Sequence, residues 1–172
     1  MRLIRAFIAL IVGTLFTLIV IGNSPYHPVR ELFTVVDISA PPAKVWNNFA
    51  AFQTYPQWNP FITSLSGDPR PGATLKVHIA PPGAMSWTFH PTVLTYEPNH
   101  ELTWLGRFLI PGLFDGQHTF TVEPDGTGGA RFIQRERFTG VLVPFMWDSL
   151  KIHTAQGFKD MNQALKKRCE QP

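Results

Sequence analysis

Residues 114–140 constrain the fold more than any other stretch. Two strand-like runs, Phe114-Asp115-Gly116-Gln117-His118-Thr119-Phe120-Thr121-Val122 and Arg131-Phe132-Ile133-Gln134-Arg135-Glu136-Arg137-Phe138, flank Glu123-Pro124-Asp125-Gly126-Thr127-Gly128-Gly129. The middle segment is a dense cluster of turn formers, so the stretch reads as a hairpin. Side chains alternate across a strand. In the second strand Arg131, Arg135 and Arg137 share the solvated face with Ile133. Phe132, Gln134, Glu136 and Phe138 therefore face inward. The inward set of the first strand is Phe114, Gly116, His118, Phe120 and Val122. Folding near Gly126 brings Phe120 near Phe132, and His118 near Gln134 or Glu136; the register stays open. A His, a Gln and a Glu on an apolar sheet face are unfavourable unless hydrogen-bonded or wet. They point to an internal cavity, with a satisfied polar cluster that only specifies the fold as the alternative.

The remaining chain supplies the partners of this hairpin. Residues 31–38 read as a strand, and Ser39-Ala40-Pro41-Pro42 opens a short helix with a stripe of Val45, Phe49 and Phe52. Trp58 and Phe61, between prolines, are expected to be buried. Strands are expected at 74–80, 86–96 and 101–109, with Pro91 demanding an edge or a bulge in the second of them. A long helix over 145–168 carries Met146, Leu150, Thr154, Phe158, Met161 and Leu165 at three- and four-residue steps. Strands first and an amphipathic helix last argue an α+β domain whose sheet curves round that helix.

The N-terminus differs. After Arg2 and Arg5, residues 6–22 are uncharged and almost wholly apolar. No Ala-x-Ala-like site follows, and Pro25 stands where a signal peptide would be cut. The expectation is an uncleaved transmembrane anchor over 1–22, spanning the membrane through residues 6–22. A linker at 23–30, a domain at 31–168 and a tail at 169–172 follow. Arg2 and Arg5 would stay in the cytoplasm, which makes a single-pass membrane protein with its domain on the non-cytoplasmic side.

Chemistry-bearing patterns are few. The histidines at 27, 78, 90, 100, 118 and 153 form no metal-ligand spacing, and Cys169 is the single cysteine. No metal site and no cofactor are expected. Basic residues are scattered, which leaves no nucleic-acid stripe. Cys169 reads as an exposed thiol. His118 and Glu136 are the candidate catalytic pair: a neighbouring carboxylate raises an imidazole's proton affinity, and burial raises a carboxyl pKa. The same two groups could instead anchor a ligand's polar head, or be structural.

The order of elements and several motifs resemble the SRPBCC superfamily, which includes START-like lipid-transfer domains and the polyketide cyclase/dehydratase family. The motifs are Ile38-Ser39-Ala40-Pro41 with Val45-Trp46, Trp58-Asn59-Pro60-Phe61, Pro71-Gly72, Pro98 with Leu102 and Trp104, Gly116-Gln117-His118-Thr119-Phe120, and Glu136-Arg137-Phe138-Thr139-Gly140. The resemblance implies a helix-grip fold, with a curved seven-stranded antiparallel sheet around a long C-terminal helix. It also implies a cavity for a hydrophobic small molecule or lipid. Most members of this type bind rather than catalyse. The candidate ligand-binding set is Trp58, Trp104, Phe108, His118, Phe120, Phe132, Gln134, Glu136, Phe138 and Trp147. The alternative is a cyclase/dehydratase-like enzyme using His118 and Glu136 as acid and base.

Overall fold

A computed structural model describes residues 2–22 and 29–171. The inward faces of the central hairpin organise the larger of two antiparallel sheets. Strand β7 (Asp115–Pro124) pairs with β8 (Ala130–Thr139). Asp125 closes the turn: its Oδ1 accepts from the Thr127 and Gly129 amides at 2.7 and 3.0 Å. Strand β1 (Arg30–Ile38) lies on the far side of β8, so Arg30, expected in the linker, begins the sheet. The rest of the linker falls outside the described residues except Val29. On the other side, β7 pairs with β6 (Glu101–Arg107), and β6 with β5 (Thr92–Glu97). The sheet order is β1-β8-β7-β6-β5.

A second sheet holds β2 (Ile62–Ser66), β3 (Lys76–Ile79) and β4 (Trp87–Phe89) in sequence order. The expected single seven-stranded sheet is thus corrected to five plus three strands. Pro91 is the reason. It has no N–H to give a ladder, and the strand expected over 86–96 breaks beside it into β4 and β5. The sheets meet where Thr74 bridges Thr92 and the Leu75 amide donates to the Pro91 carbonyl at 3.0 Å. Strand β2 escaped the sequence reading. It starts after Asn59, whose Oδ1 accepts from the Phe61 and Ile62 amides at 3.0 and 2.9 Å.

Helix α2 (Pro42–Ala50) buries Val45, Trp46 and Phe49. The Phe49 ring lies 5.1 Å from Phe120 and 5.3 Å from Phe132, which makes this end of the sheet solid core. A 3-10 turn (Phe52–Thr54) and α3 (Tyr55–Trp58) follow. The C-terminal helix has three parts: α4 (Val143–Ser149), a π-helical turn (Leu150–Thr154) and α5 (Ala155–Glu170). Phe158, Met161 and Leu165 of α5 are fully buried against the sheet. Cys169 is buried rather than exposed, because α5 continues through it to Glu170. The expected tail is therefore mostly helix.

Helix α1 (Arg2–Gly22) has 21 residues, and its Leu3, Ile4, Phe7, Leu10 and Phe16 are exposed. Among the described residues no helix is long and apolar enough to cross a membrane. The expected transmembrane anchor, and the single-pass topology drawn from it, are not supported. The uncharged run of residues 6–22 measures about 26 Å as a helix, short of the roughly 30 Å hydrocarbon core.

Candidate functional site

One row of residues runs across the larger sheet on its inner face. Val93 faces Trp104, Trp104 faces His118, His118 faces Glu136, and Glu136 faces Leu32. The register left open by the sequence therefore puts Glu136, not Gln134, opposite His118. The next row toward the end of the hairpin holds Gly106 opposite Gly116, and Gly116 opposite Phe138. Two facing glycines leave a depression where side chains would stand. A Cβ on Gly116 would come within 2.7 Å of Glu136 Oε1, and one on Gly106 within 3.2 Å of the Phe89 ring.

Above this floor is a cavity of about 340 Å³. Trp104, His118, Glu136 and Phe138 line it from the larger sheet, with Phe114 just ahead of β7. Ile62, Ile79, Trp87 and Phe89 line it from the smaller sheet, together with Phe61. Met146, Ser149, Leu150, His153 and Thr154 cover it from α4 and the π-turn. The inserted residue of a π-turn shifts which side chains face inward. Phe61 reaches the cavity because Gly157 has no side chain; a Cβ there would collide with its ring. At the rim, His153 Nδ1 lies 2.8 Å from the Pro82 carbonyl, tying the helix to the loop before β4.

The expected site residues divide. Trp104, Phe108, His118, Glu136 and Phe138 line the cavity, Phe108 at its partly exposed edge. Phe120 and Phe132 do not, because α2 packs on them. Gln134 faces α5 and donates from Nε2 to Asn162 Oδ1 at 2.6 Å and to the Phe158 carbonyl at 3.2 Å. Trp58 is half-buried outside the cavity, edge-to-face with Tyr55 and donating to Thr54 Oγ1 at 3.1 Å. Trp147 packs toward Phe138, with the Arg30 guanidinium 5.5 Å over its ring. The sequence reading missed the glycine pair, whose place inside strands was the available signal, and the rim residues Met146, Leu150 and His153.

The polar centre is His118 with Glu136. Nδ1 of His118 lies 3.9 Å from Glu136 Oε2. The imidazole is stacked against Phe120 at 3.9 Å, with Phe158 at 4.6 Å on α5. Burial lowers its pKa to about 3, with the Gln134 side chain acting the other way. Burial also raises the Glu136 carboxyl to about 8. The expectation that the carboxylate would raise the histidine's proton affinity is corrected: burial on an aromatic floor lowers the imidazole's pKa, and the same burial keeps the Glu136 carboxyl protonated, so it offers no charge. At neutral pH the pair is uncharged, a carboxylic acid facing a neutral imidazole. Among the described residues no cluster of His, Cys, Asp and Glu could hold a metal ion.

Residues 31–170 match the family described as polyketide cyclase / dehydrase and lipid transport. The chain belongs to that family. No curated protein matches it. Among solved structures, this chain is similar to the di-domain ARO/CYC BexL from the BE-7585A biosynthetic pathway. The identity is 13% and the TM-score 0.69, over 97% of this chain and 61% of BexL, so it spans about three fifths of that protein. It is also similar to the Zhui aromatase/cyclase from Streptomyces sp. R1128, at 13% identity and TM-score 0.65 over 83% of this chain and 94% of that one. A third is truncated norcoclaurine synthase from Thalictrum flavum, at 14% identity and TM-score 0.66 over 87% and 99%. At these identities the likeness is one of fold: an α+β helix grip with a long C-terminal helix against an antiparallel sheet.

Proposed function

We propose that this family member binds an apolar small molecule or lipid in the cavity between its sheets and C-terminal helix. The observation that carries the reading is the cavity itself: largely aromatic walls around the uncharged His118–Glu136 pair, with Ser149, His153 and Thr154 on the covering helix and Arg107, paired with Asp115 at 3.8 Å, also in the lining. Native mass spectrometry of the purified full chain, with titration of an apolar fluorophore, tests it. A retained mass or saturable fluorescence supports the reading. A chain with no extractable ligand and no fluorophore binding overturns it.

The second reading is catalysis by the same pair. Glu136, protonated at neutral pH, would be a competent general acid toward a leaving hydroxyl. His118 fits the base role less well, because a general base works best with a pKa near the working pH, and about 3 is far below it. This asymmetry favours binding over cyclisation or dehydration. In an enzyme, His118→Ala and Glu136→Gln would each abolish turnover while leaving apolar ligand binding largely intact; unchanged turnover removes this reading.

The exposed apolar side chains of α1 support a further element, association of the chain with a lipid surface.

A further inference from the structure

His118 and Gln134 each carry one buried side-chain atom without a hydrogen-bond partner, Nε2 of the imidazole and Oε1 of the amide. They are diagonal neighbours on one sheet face, since His118 lies opposite Glu136 and Phe120 opposite Gln134. The orientation of the Gln134 amide is set from α5. Its Nε2 donates to Asn162 Oδ1 and to the Phe158 carbonyl. Asn162 is held in turn, donating from Nδ2 to Thr34 Oγ1 at 3.2 Å. With the amide nitrogen committed to α5, the carbonyl end is left for the imidazole. A carbonyl oxygen takes only a donor. A proton on Nε2 would give that oxygen a donor, which the other tautomer would not.

Nδ1 then carries the lone pair on the side of Glu136. The two groups are 3.9 Å apart, beyond a direct hydrogen bond. From the cavity side, off the line joining them, an oxygen atom can sit about 2.8 Å from each. Such an atom must donate a proton to Nδ1 and accept one from the Glu136 carboxyl. A hydroxyl does both. A ketone or ether lacks the proton to donate, and a carboxylate would face an unprotonated nitrogen.

We infer that the gap between His118 and Glu136 recognises a neutral hydroxyl group, as in an alcohol, phenol or enol, and that Gln134 is the positioning residue that sets the His118 tautomer. This rests on the cavity reading above and names the chemical class of its ligand. By liquid-water volume the cavity holds the equivalent of about eleven non-hydrogen atoms, the size of a fused two-ring compound.

The test uses the full chain at pH 7 and calorimetric titration with 2-naphthol, 2-fluoronaphthalene and 2-naphthoate. The expected result is 2-naphthol binding at least ten-fold tighter than either of the others, because an unmatched buried acceptor lowers affinity by about that factor or more. Nitrogen-15 NMR of the ligand-free chain should show the His118 proton on Nε2. In Gln134→Leu that preference should be lost, a change that a purely structural role for Gln134 would not produce. Equal binding of naphthol and fluoronaphthalene, or a proton on Nδ1 in the wild-type chain, overturns the inference alone. Binding of none of the three, together with exclusion of the apolar fluorophore, overturns the cavity reading and the inference with it.

Discussion

Replacing Glu136 by Gln should change how stability depends on pH, and the direction follows from the two buried groups. The Glu136 pKa rises from 4.5 to about 8 on folding. Between those values the folded chain holds a proton that the unfolded chain has released, so stability falls as pH rises. His118 runs the other way. Its pKa drops from 6.5 to about 3, so the unfolded chain holds the extra proton and stability rises with pH over that interval. The two slopes cancel from 4.5 to 6.5. Wild-type stability should therefore climb from pH 3 to 4.5, stay level to 6.5 and fall from 6.5 to 8. At about 1.4 kcal/mol per pH unit the final fall is about 2 kcal/mol. The Glu136 side chain keeps 16% of its surface open through the cavity, little enough for most of that fall to remain. Glu136→Gln is close to an isostere of the protonated acid. It should abolish the fall above 6.5 and expose the histidine's rise between 4.5 and 6.5. Urea unfolding followed by tryptophan fluorescence at half-unit pH steps measures both. Parallel profiles for the two proteins would refute the reasoning, because other titrating groups are common to both.

Gly157→Ala should destabilise the fold by about 1–3 kcal/mol, since the new methyl collides with the Phe61 ring and that outweighs the gain in helix propensity; the urea midpoint reports it, and an unchanged midpoint would mean Phe61 moves freely. The full chain should co-float with phosphatidylcholine vesicles, and Phe7→Asp combined with Ile11→Asp should leave it at the bottom of the gradient. Flotation unaffected by that double change would remove α1 as the contact.

The faces of the central hairpin were legible because three arginines on alternate positions leave no other way round for Phe132 and Phe138. Its register was not legible, since the Asp125 side chain fixes the turn through bonds to Thr127 and Gly129 and alternation alone carries no such information. The last helix was legible as a stripe, but its π-turn was not, and the residues it places at the rim went unseen. Gln134 was grouped with His118 by its face. The α5 groups its amide nitrogen bonds, Phe158 and Asn162, lie 24 and 28 residues away, beyond what strand periodicity can reach. The charge state of the pair required knowing that aromatic rings, not water, surround it on both sides.

The facing glycines, Gly106 and Gly116, have a consequence for how such a chain can diversify. Part of the cavity is made by atoms the sheet lacks rather than by a helix standing off from it. Ligand size then becomes a trait of two positions, adjustable a methyl at a time while the strand ladder stays in register. The two positions are not equivalent. Growth at 106 presses on the Phe89 ring, so it trims the apolar wall. Growth at 116 presses on the Glu136 carboxyl, so it alters which functional group the site reads. Capacity and chemical selectivity can drift separately in descendants of this fold, through single changes at two facing positions on adjacent strands.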